Sequence, residues 1–266
     1  MTDRRRALDA FLVSMEVSCE VLEEPWGYLV RSAEFHRLHM ANFLWLRELP
    51  PGGLDAALRR MDEAFHPYGI RDRPIYVEDP DLSRRLEPEF RRRGYAAKPE
   101  FAMYARRPPS LAANPAVTVR PARDEATRDD HDAVAGLIDE EDGYDHEVSF
   151  QLRALHWRRQ RELDAEVYVA YLEAQPVGTV ALQEIGGVGV VYDVQTVPRA
   201  RRRGVAATMV LHGLSRARAR GADLVFLLTP VESTAYRLYE RLGFAREGTL
   251  DGYLFSTPPR AVLTAG

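Results

Sequence analysis

Arg201-Arg202-Arg203-Gly204-Val205-Ala206 is the stretch on which the reading of this chain turns. Upstream, Val188 to Thr196 is rich in β-branched residues and stops at Val197-Pro198, as a strand would. Downstream, Val205 to Arg220 has helical spacing and is closed by Gly221 at a C-cap position. The six residues therefore lead from a strand into a helix. A helix N-terminus leaves backbone N–H groups unpaired and carries a partial positive charge. A pyrophosphate seated there accepts those N–H bonds. Gly204 lacks a Cβ and lets the backbone come close to such a ligand, and Ala206 keeps the first turn small. The arginines add charge suited to phosphate.

Working outward, the second half reads as α+β. Val117–Arg120 alternates as a strand, and the apolar spacing predicts helices over His131–Glu141 and Phe150–Leu163. Glu166–Glu173 and Val177–Ile185 form a hairpin turning at Gln175-Pro176, and Gly186-Gly187 turns into Val188–Thr196. After the helix come a wholly apolar strand, Leu224–Leu228, a helix over Thr234–Leu242 closed by Gly243, and a last strand within Tyr253–Ser256. The expected architecture is a central mixed sheet flanked by helices.

Residues 107–115 are rich in proline and small side chains and lack periodicity, which sets a linker over 110–115 between domains 1–109 and 116–266. In the first domain the expected elements are helix Ala10–Leu22, strand Asn42–Arg47, helix Leu54–Phe65 and strand Pro74–Val77. Phe90-Arg91-Arg92-Arg93-Gly94-Tyr95 then parallels Tyr239-Glu240-Arg241-Leu242-Gly243-Phe244, each preceded by a short apolar strand. This is a weak internal duplication; two unrelated helices ending in Gly and an aromatic would look the same.

Arg201-x-x-Gly204-x-Ala206 resembles the acyl-CoA pyrophosphate motif of the GNAT acetyltransferase superfamily, and Ala235-x-x-Leu238-Tyr239-x-x-x-Gly243-Phe244 resembles a second feature of that family. The resemblance spans roughly residues 116–257 and implies acetyl-CoA as co-substrate. It implies CoA contacts from Thr196, Val197, Arg201, Arg202, Arg203, Gly204, Val205, Ala206 and Ser233. Glu232 stands where the family often has an asparagine, with Ser233 as its substitute. Tyr239 is implied as the donor of a proton to the departing CoA sulfur, although its spacing also suits a core aromatic. Asp193 and Glu184 are the candidate general bases, and either also suits a solvated strand end. The acidic run Asp139–Glu147 would draw a cationic amine, or be a solvated helix end. The first domain resembles a degenerate copy of the same fold, with Pro50-Pro51-Gly52-Gly53 in place of the basic loop and Phe90 in place of Tyr239.

Composition narrows the classes. At 45% apolar and 29% charged residues, the chain reads as globular, with no apolar run near the length that spans a bilayer and no signal-peptide core, so a cytoplasmic protein is expected. Cys19 is the only cysteine, which excludes an intrachain disulfide and a cysteine-based zinc cluster. The seven histidines show no metal spacing, and no metal is expected. A net charge of −4 argues against nucleic acid as a partner. The expected activity is direct acetyl transfer to a primary amine on a small molecule or peptide; the alternative is a non-catalytic acyl-CoA sensor or regulatory protein. The acceptor and the oligomeric state, a homodimer included, stay open.

Overall fold

The computed structural model describes residues 1–17 and 19–255. The first half runs α1 (Asp3–Glu16), β1 (Glu20–Glu24), β2 (Gly27–Arg31), β3 (Phe43–Leu46), α2 (Gly53–Phe65), β4 (Arg73–Val77), α3 (Pro80–Arg92) and β5 (Ala96–Ala105). The second runs β6 (Val117–Pro121), α4 (Glu125–Glu141), α5 (His146–Glu162), β7 (Glu166–Leu172), β8 (Gln175–Ile185), β9 (Val188–Thr196), α6 (Val205–Ala219), β10 (Leu224–Pro230), α7 (Ala235–Arg241) and β11 (Phe244–Phe255).

Two compact units emerge. One holds Met1 to Val17 with Glu100 to Thr249; the other holds Cys19 to Pro99 with Leu250 to Phe255. The expected linker over 110–115 lies inside the first unit and does not divide residues 1–109 from 116–266. Two features of the first unit account for this. Ala7 and Ala10 of α1 are buried against Val188, Val190, Leu224 and Phe226. Phe101 to Tyr104 of β5 pair antiparallel with Thr229 to Phe226 of β10.

The sheet of the first unit has the order β5-β10-β9-β8-β7-β6, with only β9 and β10 parallel. Val134 of α4 and Val205, Met209, Val210 and Leu214 of α6 fill one face. On the other, α1 covers one stretch, and Trp157 of α5 packs with Val167, Val169 and Ala181. In the second unit the order is β1-β2-β3-β4-β11, again with one parallel pair, β3 and β4. Leu54, Ala57 and Met61 of α2 and Leu82, Leu86 and Phe90 of α3 share a core with Leu44, Leu46, Ile75 and Val77.

The units repeat one plan. Strands β1-β2-β3, helix α2, strand β4 and helix α3 follow the same order and pairing as β7-β8-β9, α6, β10 and α7. The closing strands are exchanged: β5 pairs with β10, while β11 from Asp251 onward pairs with β4. The duplication glimpsed in Gly94 and Gly243 is thus topological, and both glycines take positive φ, 84° and 92°.

Several boundaries differ from those read in the sequence. The helix expected over Ala10–Leu22 stops at Glu16, because Val17 is extended and Glu20–Glu24 pairs with Gly27–Arg31 as a hairpin. Helices α4 and α5 begin earlier than His131 and Phe150. Asp124 and Asp145 cap them by accepting from the N–H groups of Thr127 at 2.8 Å and Val148 at 3.0 Å, and their first turns are polar. Strand β11 starts at Phe244, far upstream of the expected Tyr253; Ser256 lies outside the described residues.

Glu166 anchors the start of β7. Its carboxylate accepts from Arg216 Nη2 and Tyr168 Oη, both at 2.5 Å. Burial works to raise its pKa, but Arg216 and Tyr168 outweigh it and hold the group at about 2. A depressed carboxyl pKa adds stability above its unfolded value, near 4.3, and that stability is lost as pH falls toward 2. Glu166→Gln should therefore lower unfolding free energy at pH 7 by about 2 kcal/mol. In denaturant titrations, the gap from wild type should close as pH approaches 2; a gap independent of pH would contradict the ion-pair account.

Candidate active site

Strands β9 and β10 run side by side for only three residues. Val188, Gly189 and Val190 pair with Leu224, Val225 and Phe226. Beyond that, β9 continues along β8 to Thr196, while Leu227 to Pro230 stay with β5. The two parallel strands part, and a cleft of about 570 Å³ opens between Val191–Thr196 on one wall and Leu227–Pro230 on the other. Leu238 and Tyr239 of α7 line it as well. A second lobe of about 710 Å³ adjoins it, sharing Thr196, Arg201, Ala206, Ala235 and Leu238. The two lobes make one groove that runs from the N-terminus of α6 into the gap in the sheet.

A β-bulge shapes the inner lobe. Ala181 opposes Tyr192 and Thr179 opposes Gln195, so Asp193 and Val194 together face Val180. Asp193 adopts φ +50°, unusual for a residue with a side chain. The bulge turns its side chain onto the groove, which Asp193 lines.

His156 of α5 meets that carboxylate, with Nδ1 3.1 Å from Asp193 Oδ2. His156 stacks on His131 with ring centroids 4.5 Å apart, and Asp132 accepts from Trp157 Nε1 at 3.1 Å and lies 3.0 Å from His131 Nδ1. Burial works to raise the Asp193 pKa, but the hydrogen bond and charge of His156, with Arg159 and His131 beyond, bring it below the usual carboxylate range. Burial lowers the His131 pKa. Asp193 is thus an anion at neutral pH, 37% exposed and oriented by a buried imidazole. Tyr239 lines the same lobe and is 8% exposed. Burial pushes its phenol up to about 12, so at neutral pH it can only donate a proton.

The loop before α6 behaves as its glycine suggests. Gly204 is the N-cap residue of α6 at φ +78°, and a Cβ there would lie 3.2 Å from Asn114 Cβ. Thr196, Arg201, Arg202, Gly204, Val205 and Ala206 line the outer lobe, and Ser233 lines the inner one. Thr196 Oγ1 is buried without a hydrogen-bond partner among the described residues, a polar atom a ligand amide could satisfy. Val197 is fully buried in the core and does not line the groove. Arg201 pairs in bidentate fashion with Glu141, and Arg203 with Glu173 at 2.5 Å. Arg203 is absent from the lining.

Glu184 is not brought to the groove. Its carboxylate accepts from the N–H of Gly187 at 2.7 Å and closes the β8–β9 turn, opposite Gly189 rather than beside the bulge. The acidic run Asp139–Glu147 is mostly committed elsewhere. Asp139 is buried with Arg153 3.3 Å away, Glu141 holds Arg201 and Asp145 caps α5; Asp142 alone lines the groove.

Sequence reasoning missed two contributors. His156 belongs to no local motif, and its link to Asp193 depends on tertiary packing. The segment 110–115, expected as a linker, is strapped across the outer lobe. Ser110 donates through N and Oγ to the carbonyl of Arg241, both at 2.8 Å. Asn114 donates through Nδ2 to Arg203 O at 2.8 Å and through its backbone N–H to Thr208 Oγ1 at 2.8 Å. Between these ties, Leu111 and Ala112 line the groove. The pair Asn114-Pro115, a turn signal, was the available clue.

Residues 131–244 match the model of the acetyltransferase (GNAT) family. No curated protein matches the chain by sequence. Among solved structures, a GCN5-related N-acetyltransferase from Kribbella flavida is similar at TM-score 0.67 and 20% identity, covering 97% of each chain. A functionally unknown conserved protein from Staphylococcus epidermidis is similar at TM-score 0.71 and 13% identity, covering 91% of this chain and 95% of that one. A tandem GNAT protein from the clavulanic acid biosynthesis pathway is similar at TM-score 0.61 and 10% identity, covering 94% and 88%. These likenesses concern the fold over nearly the whole chain.

A side chain at residue 204 would adopt a left-handed conformation, crowd Asn114 and shield the loop amides. Gly204→Val should weaken acetyl-CoA binding by at least roughly tenfold, an estimate set by loss of N–H contacts to one phosphate. Calorimetry on a variant shown to be folded by circular dichroism makes the check. Unchanged affinity would remove this loop from the phosphate site.

Proposed function

We propose, from the match of residues 131–244 to the acetyltransferase (GNAT) family model, that the protein transfers the acetyl group of acetyl-CoA directly to a primary amine. One observation carries the reading: Asp193 and Tyr239 line the same lobe of a groove that begins at the N-terminus of α6. The α6 terminus and Gly204 would hold the pyrophosphate, with the pantetheine arm passing Thr196 into the gap between β9 and β10. The acetyl group would then lie between a carboxylate and a phenol.

Each group has a role its environment suits. An amine arrives as an ammonium ion, which Asp193 attracts. Asp193 takes its proton, directly or through water, and the freed nitrogen attacks the thioester carbonyl. The C–N bond forms, the C–S bond breaks and the CoA thiolate departs. Tyr239 supplies the proton that turns the thiolate into a thiol, and the second nitrogen proton leaves to solvent, for a net release of one proton. Tyr239 is suited to this because its raised pKa keeps it protonated. Asp193 is suited because His156 keeps it ionised and oriented. Asp193 is the assigned base in place of Glu184, whose carboxylate is committed to the Gly187 turn.

The second unit is assigned no acetyl-CoA. There β3 and β4 pair over three residues, ending at Leu46 and Val77, where Glu78 N–H donates to Leu46 O at 2.9 Å. Gly52 caps α2 as Gly204 caps α6, but prolines precede it instead of arginines. Phe90, at the position of Tyr239, is fully buried and stacked on Tyr253 at 4.2 Å.

Two measurements test the proposal. Calorimetry should give a stoichiometry of about one acetyl-CoA per chain, because the second unit has prolines in place of the loop arginines and Phe90 in place of the phenol; a value near two would mean the second unit binds as well. With an amine acceptor found by a free-thiol screen, Tyr239→Phe should lower kcat at least roughly tenfold while acetyl-CoA affinity holds, since a positioned donor is worth about 10²–10⁴-fold. Wild-type kcat with chemistry limiting would return Tyr239 to a packing role. Binding without thiol release from any amine would favour a sensor.

A further inference from the structure

Acyl-CoA carries a third phosphate, on the 3′ position of its ribose, which the α6 terminus does not address if it holds the pyrophosphate. Building on the acyl-CoA reading of the groove, we infer that Arg202, Arg237 and Arg241 form the seat of that 3′-phosphate and make the protein selective for 3′-phosphorylated CoA thioesters.

The arginine triplet divides by partner. Arg201 and Arg203 are each held by a carboxylate, Glu141 and Glu173. Arg202 between them has none among the described residues. It takes φ +63° and lines the outer lobe. Helix α7 brings Arg237 and Arg241 to the same lobe, four residues apart and so on one helix face. Neither forms an ion pair among the described residues. Arg237 Nε donates to Tyr236 Oη at 3.2 Å, and its guanidinium rests 5.7 Å from that ring's centre. Like charges at this spacing repel when no acid lies between them. Three arginines without an ion pair among the described residues, Arg237 feeling only the more distant charge of Glu240, thus line one concave surface, an arrangement that a dianionic phosphate offsets.

The strap fixes the geometry of this seat. Ser110 is tied to the carbonyl of Arg241, and Asn114 to that of Arg203. Leu111 and Ala112, stretched between the ties, give an apolar wall in the same lobe. An adenine ring against that wall would direct the ribose phosphate toward the three arginines. The pyrophosphate, by contrast, needs the amides at Gly204 and is shared with any dephosphorylated analogue. The loop and the arginines are thus separable by ligand chemistry.

Calorimetry with acetyl-CoA and 3′-dephospho-acetyl-CoA, at low and moderate ionic strength, tests the inference on wild type, Arg202→Ala and Arg241→Ala. The dephospho ligand should bind at least roughly tenfold more weakly to wild type and show a shallower salt dependence. Each arginine variant should lose severalfold in affinity for acetyl-CoA and little for the dephospho ligand. Both replaced side chains are exposed, so the variants should remain folded. Equal affinity of wild type for both ligands would overturn the 3′-phosphate seat while leaving the acyl-CoA reading intact. Equal losses for both ligands in the variants would move these arginines to the pyrophosphate and also overturn it. Failure of acetyl-CoA, and of the dephospho ligand with it, to bind wild type would overturn the acyl-CoA reading and the seat together.

Discussion

The groove exists because β9 and β10 pair for three residues and then separate. The separation leaves each strand paired along one edge only. Each already has another partner, β8 for β9 and β5 for β10, so the gap is lined by strands whose other edges are hydrogen-bonded. Leaving buried backbone polar groups unpaired is costly. A ligand with amide groups of its own is suited to such an opening, because it can satisfy the edges that face it. The exchange of β5 into the first unit is therefore part of the site: the strand that holds β10 away from β9 comes from the first half of the chain.

Around that gap, charge is distributed with economy. Most of the loop's arginine side chains are engaged: Arg201 joins the loop to the end of α4, and Arg203 reaches Glu173 at the β7–β8 turn. For the proposed pyrophosphate site, backbone N–H groups at the helix terminus, rather than arginine heads, are the main donors. The inner lobe has the opposite sign. Asp193 is held there by a bulge and by His156, and its low pKa keeps it charged and able to attract an ammonium ion.

Much of this was legible in the sequence. Gly204, Gly243 and the alternation of β7, β8 and β9 gave the plan of the second half, because local chemistry dictates those features. Tyr239 and Asp193 could be named as candidates, and the groove brings them together. Glu184 could not be told apart from Asp193, because the two differ only in where a hairpin turn and a bulge put them. The exchange of β5 and β11 left no local mark either. Strand pairing between residues about 125 apart is written in neither periodicity nor turns, so a proline-rich segment looked like a boundary and turned out to be a strap. The hairpin of β1 and β2 was hidden because its first strand, Glu20–Glu24, is mostly charged.

Amide hydrogen exchange with and without acetyl-CoA shows where the ligand sits, since it reads both units of the intact chain at once. If the groove holds acetyl-CoA, protection is expected in Arg202–Thr208 and in the parted stretches Val191–Thr196 and Leu227–Pro230, and none in the corresponding first-half loop at Pro50–Ala56. Protection confined to the first-half loop, or an exchange pattern unchanged at saturating ligand, would contradict it.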